Sequence, residues 1–228
     1  MNKKNPSGFT LIELLVVIAI IAVLASFAVP AITSALTKGQ LVGTLNNVRQ
    51  YYLAGYQMAL DGNTNADANY NWPGDYNPAV TTLSAYSSKL VTNQYLKTGD
   101  LAKLLSGPGA IVGATSTTDA AGTVTVSLTG TPGLKVYEIK DGDSANTIFA
   151  VSNNYIYNTA LTPATSPFGD KGFVVIRKGG DCLSLRKNNA LATNYPNVAA
   201  FQSAVGKLTG DVDGVLGTES AALLLAFP

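Results

Sequence analysis

Few residues in this chain are equipped for chemistry. The 228 residues include no histidine, which removes Ser-His-Asp triads and histidine-ligated zinc sites. Cys182 is the single cysteine, so it has neither an imidazole base nor a partner for an intrachain disulfide. It reads as a small apolar residue on a strand. Carboxylates offer more. Asp141 and Asp143 flank Gly142 and read as turn residues rather than a glycosidase pair. Asp61, Asn63, Asn65 and Asp67 alternate as in an EF-hand loop. Ala66 and Trp72 stand where that loop needs glycine and glutamate, so a polar surface loop is expected. Asp211 and Asp213 lie on a Gly-bounded loop, Thr209 to Gly214, with Glu219 beyond. Two such carboxylates could share a hard cation, which makes calcium the one cofactor the sequence suggests. No phosphate-binding fingerprint appears, and no enzymatic activity is expected.

The remaining ionisable residue of interest is Glu13, for its surroundings. Phe9 to Val29 carries no other charge. Those residues form enough helix, at about 1.5 Å each, to cross a hydrocarbon core of roughly 30 Å. An acidic side chain at the centre of such a span costs about 2.5–3.5 kcal/mol. The run is too long for an ordinary secretory signal. A plain single-pass anchor with Glu13 near one interface fits the physics equally well.

The residues around Glu13 carry a more specific pattern. Lys3-Lys4, then Gly8-Phe9-Thr10-Leu11-Ile12-Glu13-Leu14-Leu15, resembles the prepilin signal of type IV pilins and type II secretion pseudopilins, and Pro30 falls at that family's usual register. The resemblance covers about 30 residues of the chain. It implies that residues 1–8 are a leader, cut between Gly8 and Phe9 by a prepilin peptidase, and that the new Phe9 amine is N-methylated. It also implies that Glu13 pairs with the N-terminal amine of a neighbouring subunit during assembly, which sets subunit register. A carboxylate that is costly alone in lipid is offset by a cationic amine at the same depth. Many type IV pilins pin a C-terminal loop with two cysteines, and this chain departs from that pattern. Major pseudopilins bind calcium in a C-terminal loop, which bears on Asp211 and Asp213.

The elements that must position these residues follow from periodicity. Residues 9–36 are expected as a transmembrane helix, which the resemblance makes the filament core after assembly, and 37–60 as its amphipathic continuation. Leu41, Leu45, Val48, Tyr52, Tyr56 and Ala59 recur at helical spacing. Pro30, Gly39 and Gly43 predict a bend or local melting. The small residues Ala19, Ala22, Ala25, Ser26 and Ala28 either allow close helix approach or merely fill the span. Residues 61–228 form an extracytoplasmic head. A helical region is expected over 78–105, interrupted at 97–100, with Asp100 capping its second piece. Strands are expected at 123–128, 134–139, 147–151, 173–176 and 182–185, joined as antiparallel hairpins, and a last helix at 197–208. The fold class is α+β: a long N-terminal helix packed on an antiparallel sheet, which is also what the pilin resemblance implies.

Composition agrees with a tethered head. Lys3 and Lys4 precede the span and the next basic residue is Lys38, so the N-terminus is expected in the cytoplasm and the head outside a bacterial inner membrane. Loss of the two leader lysines leaves 13 basic against 14 acidic residues, net −1, and no nucleic-acid partner is suggested. The expected function is a structural subunit of a type II secretion pseudopilus or related filament, periplasmic or on the cell surface. A type IV pilus subunit, major or minor, is the alternative, and a monomeric membrane-anchored binding module is another. The implied partners are other copies, related pilin-like subunits, the peptidase, the inner-membrane assembly platform and membrane lipid.

Overall fold

The computed structural model of the chain describes residues 9–228; Lys3, Lys4 and Gly8 lie outside the described residues. Helix α1 (Leu11–Asn65) contains Pro30 and is assigned as α-helix throughout, across Pro30, Gly39 and Gly43 alike. The expected melting is therefore not found. The chain divides into two compact units after Gly39, so the second unit holds residues 40–65 of the helix together with the rest of the head.

Within the second unit α1 buries one face: Leu41, Thr44, Val48, Tyr51, Tyr52, Ala54, Gly55, Met58, Ala59 and Gly62. Of the expected stripe Leu41, Val48, Tyr52 and Ala59 are buried and Leu45 is half-buried, while the buried face is wider than the stripe. Tyr51 and Met58 are fully buried, whereas Tyr56 is 42% exposed and lies with its ring 5.9 Å from Tyr52 and 6.2 Å from Trp72. The helix also outruns its expected end at residue 60. Ala66, at φ 53°, turns the chain into the left-handed region. Asp67 N–H then donates back to Gly62 O at 3.0 Å, a Schellman closure made without glycine. Asp61 to Asn65 are thus the last turn of a helix, not a calcium-type loop. Asp61 accepts from Tyr95 OH and Asn63 donates to Asp141.

Gly62 shows how tightly that turn is seated. A Cβ there would stand 1.6 Å from the carbonyl oxygen of Tyr70. Alanine normally gains up to about 1 kcal/mol over glycine in a helix. Here the backbone clash outweighs that gain. Gly62→Ala is expected to lower stability by about 1–3 kcal/mol in thermal melts, as overpacking does; a stabilised variant would refute the packing argument.

After α1 come α2 (Leu83–Thr92) and α3 (Thr98–Leu105). Thr82 caps α2 by accepting Ala85 N–H at 3.1 Å. Gln94 at φ 65° separates the two helices. Asp100 is not the cap of α3: Lys97 holds that position, without a side-chain bond, and Asp100 lies in the first turn.

The strands form two sheets rather than one. β1 (Val112–Thr118) and β2 (Val124–Gly130) pair antiparallel from Val112↔Gly130 to Thr118↔Val124. β3 (Leu134–Val136), β4 (Ile148–Ser152), β5 (Phe173–Arg177) and β6 (Cys182–Leu185) form an antiparallel sheet in that order. Every residue of β4 and β5 is buried, because both faces are covered. Phe149 meets Tyr51 and Tyr52 of α1 at ring distances of 6.2 and 5.5 Å. On the opposite face Ile148 lies against Gly206, in the segment that follows α4 (Val198–Ala204). Asn197 caps α4 through Ala200 N–H at 2.8 Å. The helix stops short of the expected residue 208 because Gly206 sits at φ 123°.

Candidate assembly site at the N-terminal helix

Glu13 opens α1 through a reciprocal cap. Its Oε2 accepts both the Thr10 N–H and the Thr10 hydroxyl at 2.8 Å, and Glu13 N–H donates to Thr10 Oγ1 at 3.3 Å. Thr-x-x-Glu before an apolar run is the sequence form of the capping box. Thr10-Leu11-Ile12-Glu13 carries that signal, which sequence reasoning centred on the charge of Glu13 does not use. Glu13 has no basic ion-pair partner among the described residues.

The side chains that follow are open. Phe9 is 82% exposed, and Leu11, Ile12, Leu24 and Phe27 all exceed 60%. No residue of the most apolar stretch of α1 is buried within the chain, and the helix is long and apolar enough to cross a membrane. An exposed apolar surface of this length exceeds what soluble monomers carry and must be covered by lipid or by other helices. Pro30 lies within this helix. Ser26, Thr33 and Thr37 turn their hydroxyls back onto Val23 O, Pro30 O and Thr33 O, which keeps them satisfied in an apolar medium.

The C-terminal candidates Asp211 and Asp213 lie on one loop after α4. Asp213 is ion-paired with Lys207 at 2.7 Å. Asp211 accepts Leu208 N–H at 3.2 Å, and partial burial raises its pKa. Gln202 holds the loop between them, donating to Val212 O and Val215 O and accepting from Gly214 N–H. Among the described residues no three His, Cys, Asp or Glu side chains gather as a metal cage. Glu219 faces elsewhere: its carboxylate takes Lys135 Nζ at 2.5 Å, Tyr137 OH at 2.8 Å and Tyr157 N–H at 2.8 Å. Burial pulls the Lys135 pKa down against the opposing pull of Glu219, and raises that of Tyr137. This latch fastens the C-terminal segment. Beyond it Leu225 N–H donates to Val136 O and Ala226 N–H to Thr81 O. No local pattern in the sequence joins Lys135 to Glu219, 84 residues apart. Cys182 sits half-buried on β6 as a free thiol.

Long apolar helix, capping Glu13 and antiparallel head define a pilin-like α+β protein. Residues 3–29 match the Prokaryotic N-terminal methylation motif. The chain is 33% identical over 72 residues to a type IV major fimbrial protein, FimA, of Dichelobacter nodosus, covering 32% of this chain and 46% of that one. It is 36% identical over 93 residues to the fimbrial protein EcpC of Eikenella corrodens, covering 41% and 56%. The chain thus spans about half the length of the curated relatives it matches. No solved structure matches.

Proposed function

We propose that this chain is a structural subunit of a type IV filament: held in the bacterial inner membrane by α1, cut between Gly8 and Phe9, methylated at Phe9 and assembled by helix bundling. The observation that carries the proposal is the exposed apolar first part of α1, headed by Glu13 and lying within the methylation motif of residues 3–29. A filament offers such a helix the same apolar surroundings that lipid does, and an amine for the carboxylate. The short basic leader would stay cytoplasmic and the head outside. The peptidase, the assembly platform and its motor are the partners such a cycle requires; this chain supplies a membrane-soluble helix and a folded head.

A pilus is favoured over a secretion pseudopilus because both relatives described are fimbrial proteins. The pseudopilus is the second reading, favoured by the lone cysteine, which rules out an intrachain C-terminal disulfide. Mass spectrometry of the mature N-terminus is expected to find a methylated Phe9, and shearing of cells to release filaments that contain the chain. An intact Met1 overturns processing. Normal shearing yields but retained secreted enzymes in a deletion strain would move the assignment to the pseudopilus.

A further inference from the structure

The two sheets treat their edges differently. Unpaired edge strands invite pairing with other chains, and proteins blunt them with brevity, charge, proline, bulges or a covering segment. In the four-stranded sheet both edges are blunted. β3 has three residues and is covered by the C-terminal segment, through Leu225 N–H to Val136 O and the Tyr137–Leu224 bridge. β6 has four residues and is bounded by Asp181 on one side and Arg186 and Lys187 on the other.

β1 is protected only in part: α3 packs along it, with the Thr98 hydroxyl donating to Ser116 Oγ at 2.9 Å, but brevity, charge and proline are all missing. It runs seven residues in unbroken register with β2. From residue 104 to 134 the sequence holds a single charge, Asp119, and no proline lies within the strand. Ile111 O accepts Thr131 N–H and Asp119 N–H donates to Thr123 O, so the odd-numbered residues of β1 bond to β2. The even-numbered ones therefore point their backbone groups outward. Val112 N–H is taken by Ser106 Oγ. Ala114, Ser116 and Thr118 have no backbone partner on that side among the described residues.

We propose that β1 pairs antiparallel with β1 of a second copy, across a two-fold axis at Ser116, and that this contact joins neighbouring filaments side by side. The pairing sets Ser116 against the partner's Ser116 and Ala114 against the partner's Thr118, satisfying the outward groups of all three residues. It also sets Asp119 opposite the partner's Gly113, whereas an in-register parallel pairing would stack Asp119 on its own copy. Self-complementarity is what selects a second copy as the occupant: the edge is neutral and offers no charge for a foreign strand to match. A two-fold contact closes on itself, while the subunits of one filament are related by a screw and meet through head-to-tail surfaces. The partner copy therefore belongs to another filament. Repetition of the same edge along both filaments makes a weak contact additive. The pairing between filaments rests on the filament reading above; the pairing of two copies does not.

The test uses the full chain with Ser116→Lys and Ser116→Glu, each made alone and then mixed. Position 116 points its amide away from β2, and its exposed side chain takes only the Thr98 hydroxyl, so both variants lose that one surface bond and keep the β1–β2 ladder. Filaments of the unsubstituted chain are expected to pellet at low speed as lateral bundles. Each charged variant should lose that pelleting with unchanged filament yield, and a mixture of the two should regain it. The same mixture, dispersed in detergent, should give more mixed Lys/Glu dimers in native mass spectrometry than either variant gives homodimers. Bundling that survives both charges, or a mixture that forms no excess of mixed dimers, overturns the pairing; charged variants that stay single when mixed point to a foreign strand instead. If no filament forms while mixed dimers do, the filament reading falls and the pairing stands.

Discussion

Glu219→Ala should lower the stability of the head by about 3–5 kcal/mol, the usual effect of breaking a buried ion pair from one side. For a head of this size that is roughly 6–20 °C in melting temperature. The Lys135 and Glu219 side chains are 13% and 7% exposed, so solvent does little to screen what is left behind. Truncation strands the Lys135 ammonium and removes the acceptor for Tyr137 OH and Tyr157 N–H together. A double variant, Lys135→Met with Glu219→Gln, should recover most of the loss, because it removes the charge instead of orphaning it.

The pH dependence has a definite sign. Burial depresses the Lys135 pKa below its ordinary 10.5, so between the folded value and 10.5 the unfolded chain binds more protons than the native one. Stability contributed through Lys135 must then rise with pH across that window. The effect should be larger in Glu219→Ala, where nothing opposes the depression, so the gap between variant and parent should narrow as pH approaches 10.5. Thermal melts of the full chain in detergent across alkaline pH measure it. A gap that is constant or widens would mean the ammonium is not held in the apolar site.

Most of the architecture was legible because it rests on local patterns. The span, the helical stripe from Leu41 to Ala59 and the hairpin around Lys178 to Asp181 each declare themselves within a dozen residues. β1 escaped because Val112-Gly-Ala-Thr-Ser-Thr-Thr118 buries only its first residue fully, and a strand without alternating apolar residues carries little signal. The extra turn of α1 escaped for the opposite reason. Asp61 to Asn65 has turn-former composition, and only the seat for Gly62 under Tyr70 and the bonds from Tyr95 and to Asp141 keep it helical. Glu219 illustrates the wider limit. Its position just beyond the Asp211–Gly214 loop carries no local signal, because a carboxylate's partner is decided by the fold, and here that partner is on β3.

Glu13 is where local and assembled roles compete, and substitution can separate them. Glu13→Ala should insert in the membrane at least as well as the parent, since it removes a charge that is costly in a span. It loses the cap on Thr10 as well, worth about 0.5–2 kcal/mol of helix stability. Sheared filaments should nevertheless fall by at least about tenfold, which needs only about 1.4 kcal/mol per subunit addition. Either loss could produce that result, so Glu13→Gln decides between them. Glutamine serves the capping box as glutamate does, keeping an oxygen for Thr10 N–H and the Thr10 hydroxyl, but it cannot neutralise an amine. If charge matching to a neighbouring Phe9 amine drives assembly, Glu13→Gln fails as Glu13→Ala does. If the cap alone matters, it assembles normally, and Thr10→Ala fails in its place. Wild-type yields from Glu13→Ala would refute both roles. The carboxylate is already engaged by two donors in the free subunit, so an incoming amine must outbid or share them. A cationic donor has the advantage, because a charge-assisted hydrogen bond is roughly twice as strong as a neutral one and gains further in a medium without water.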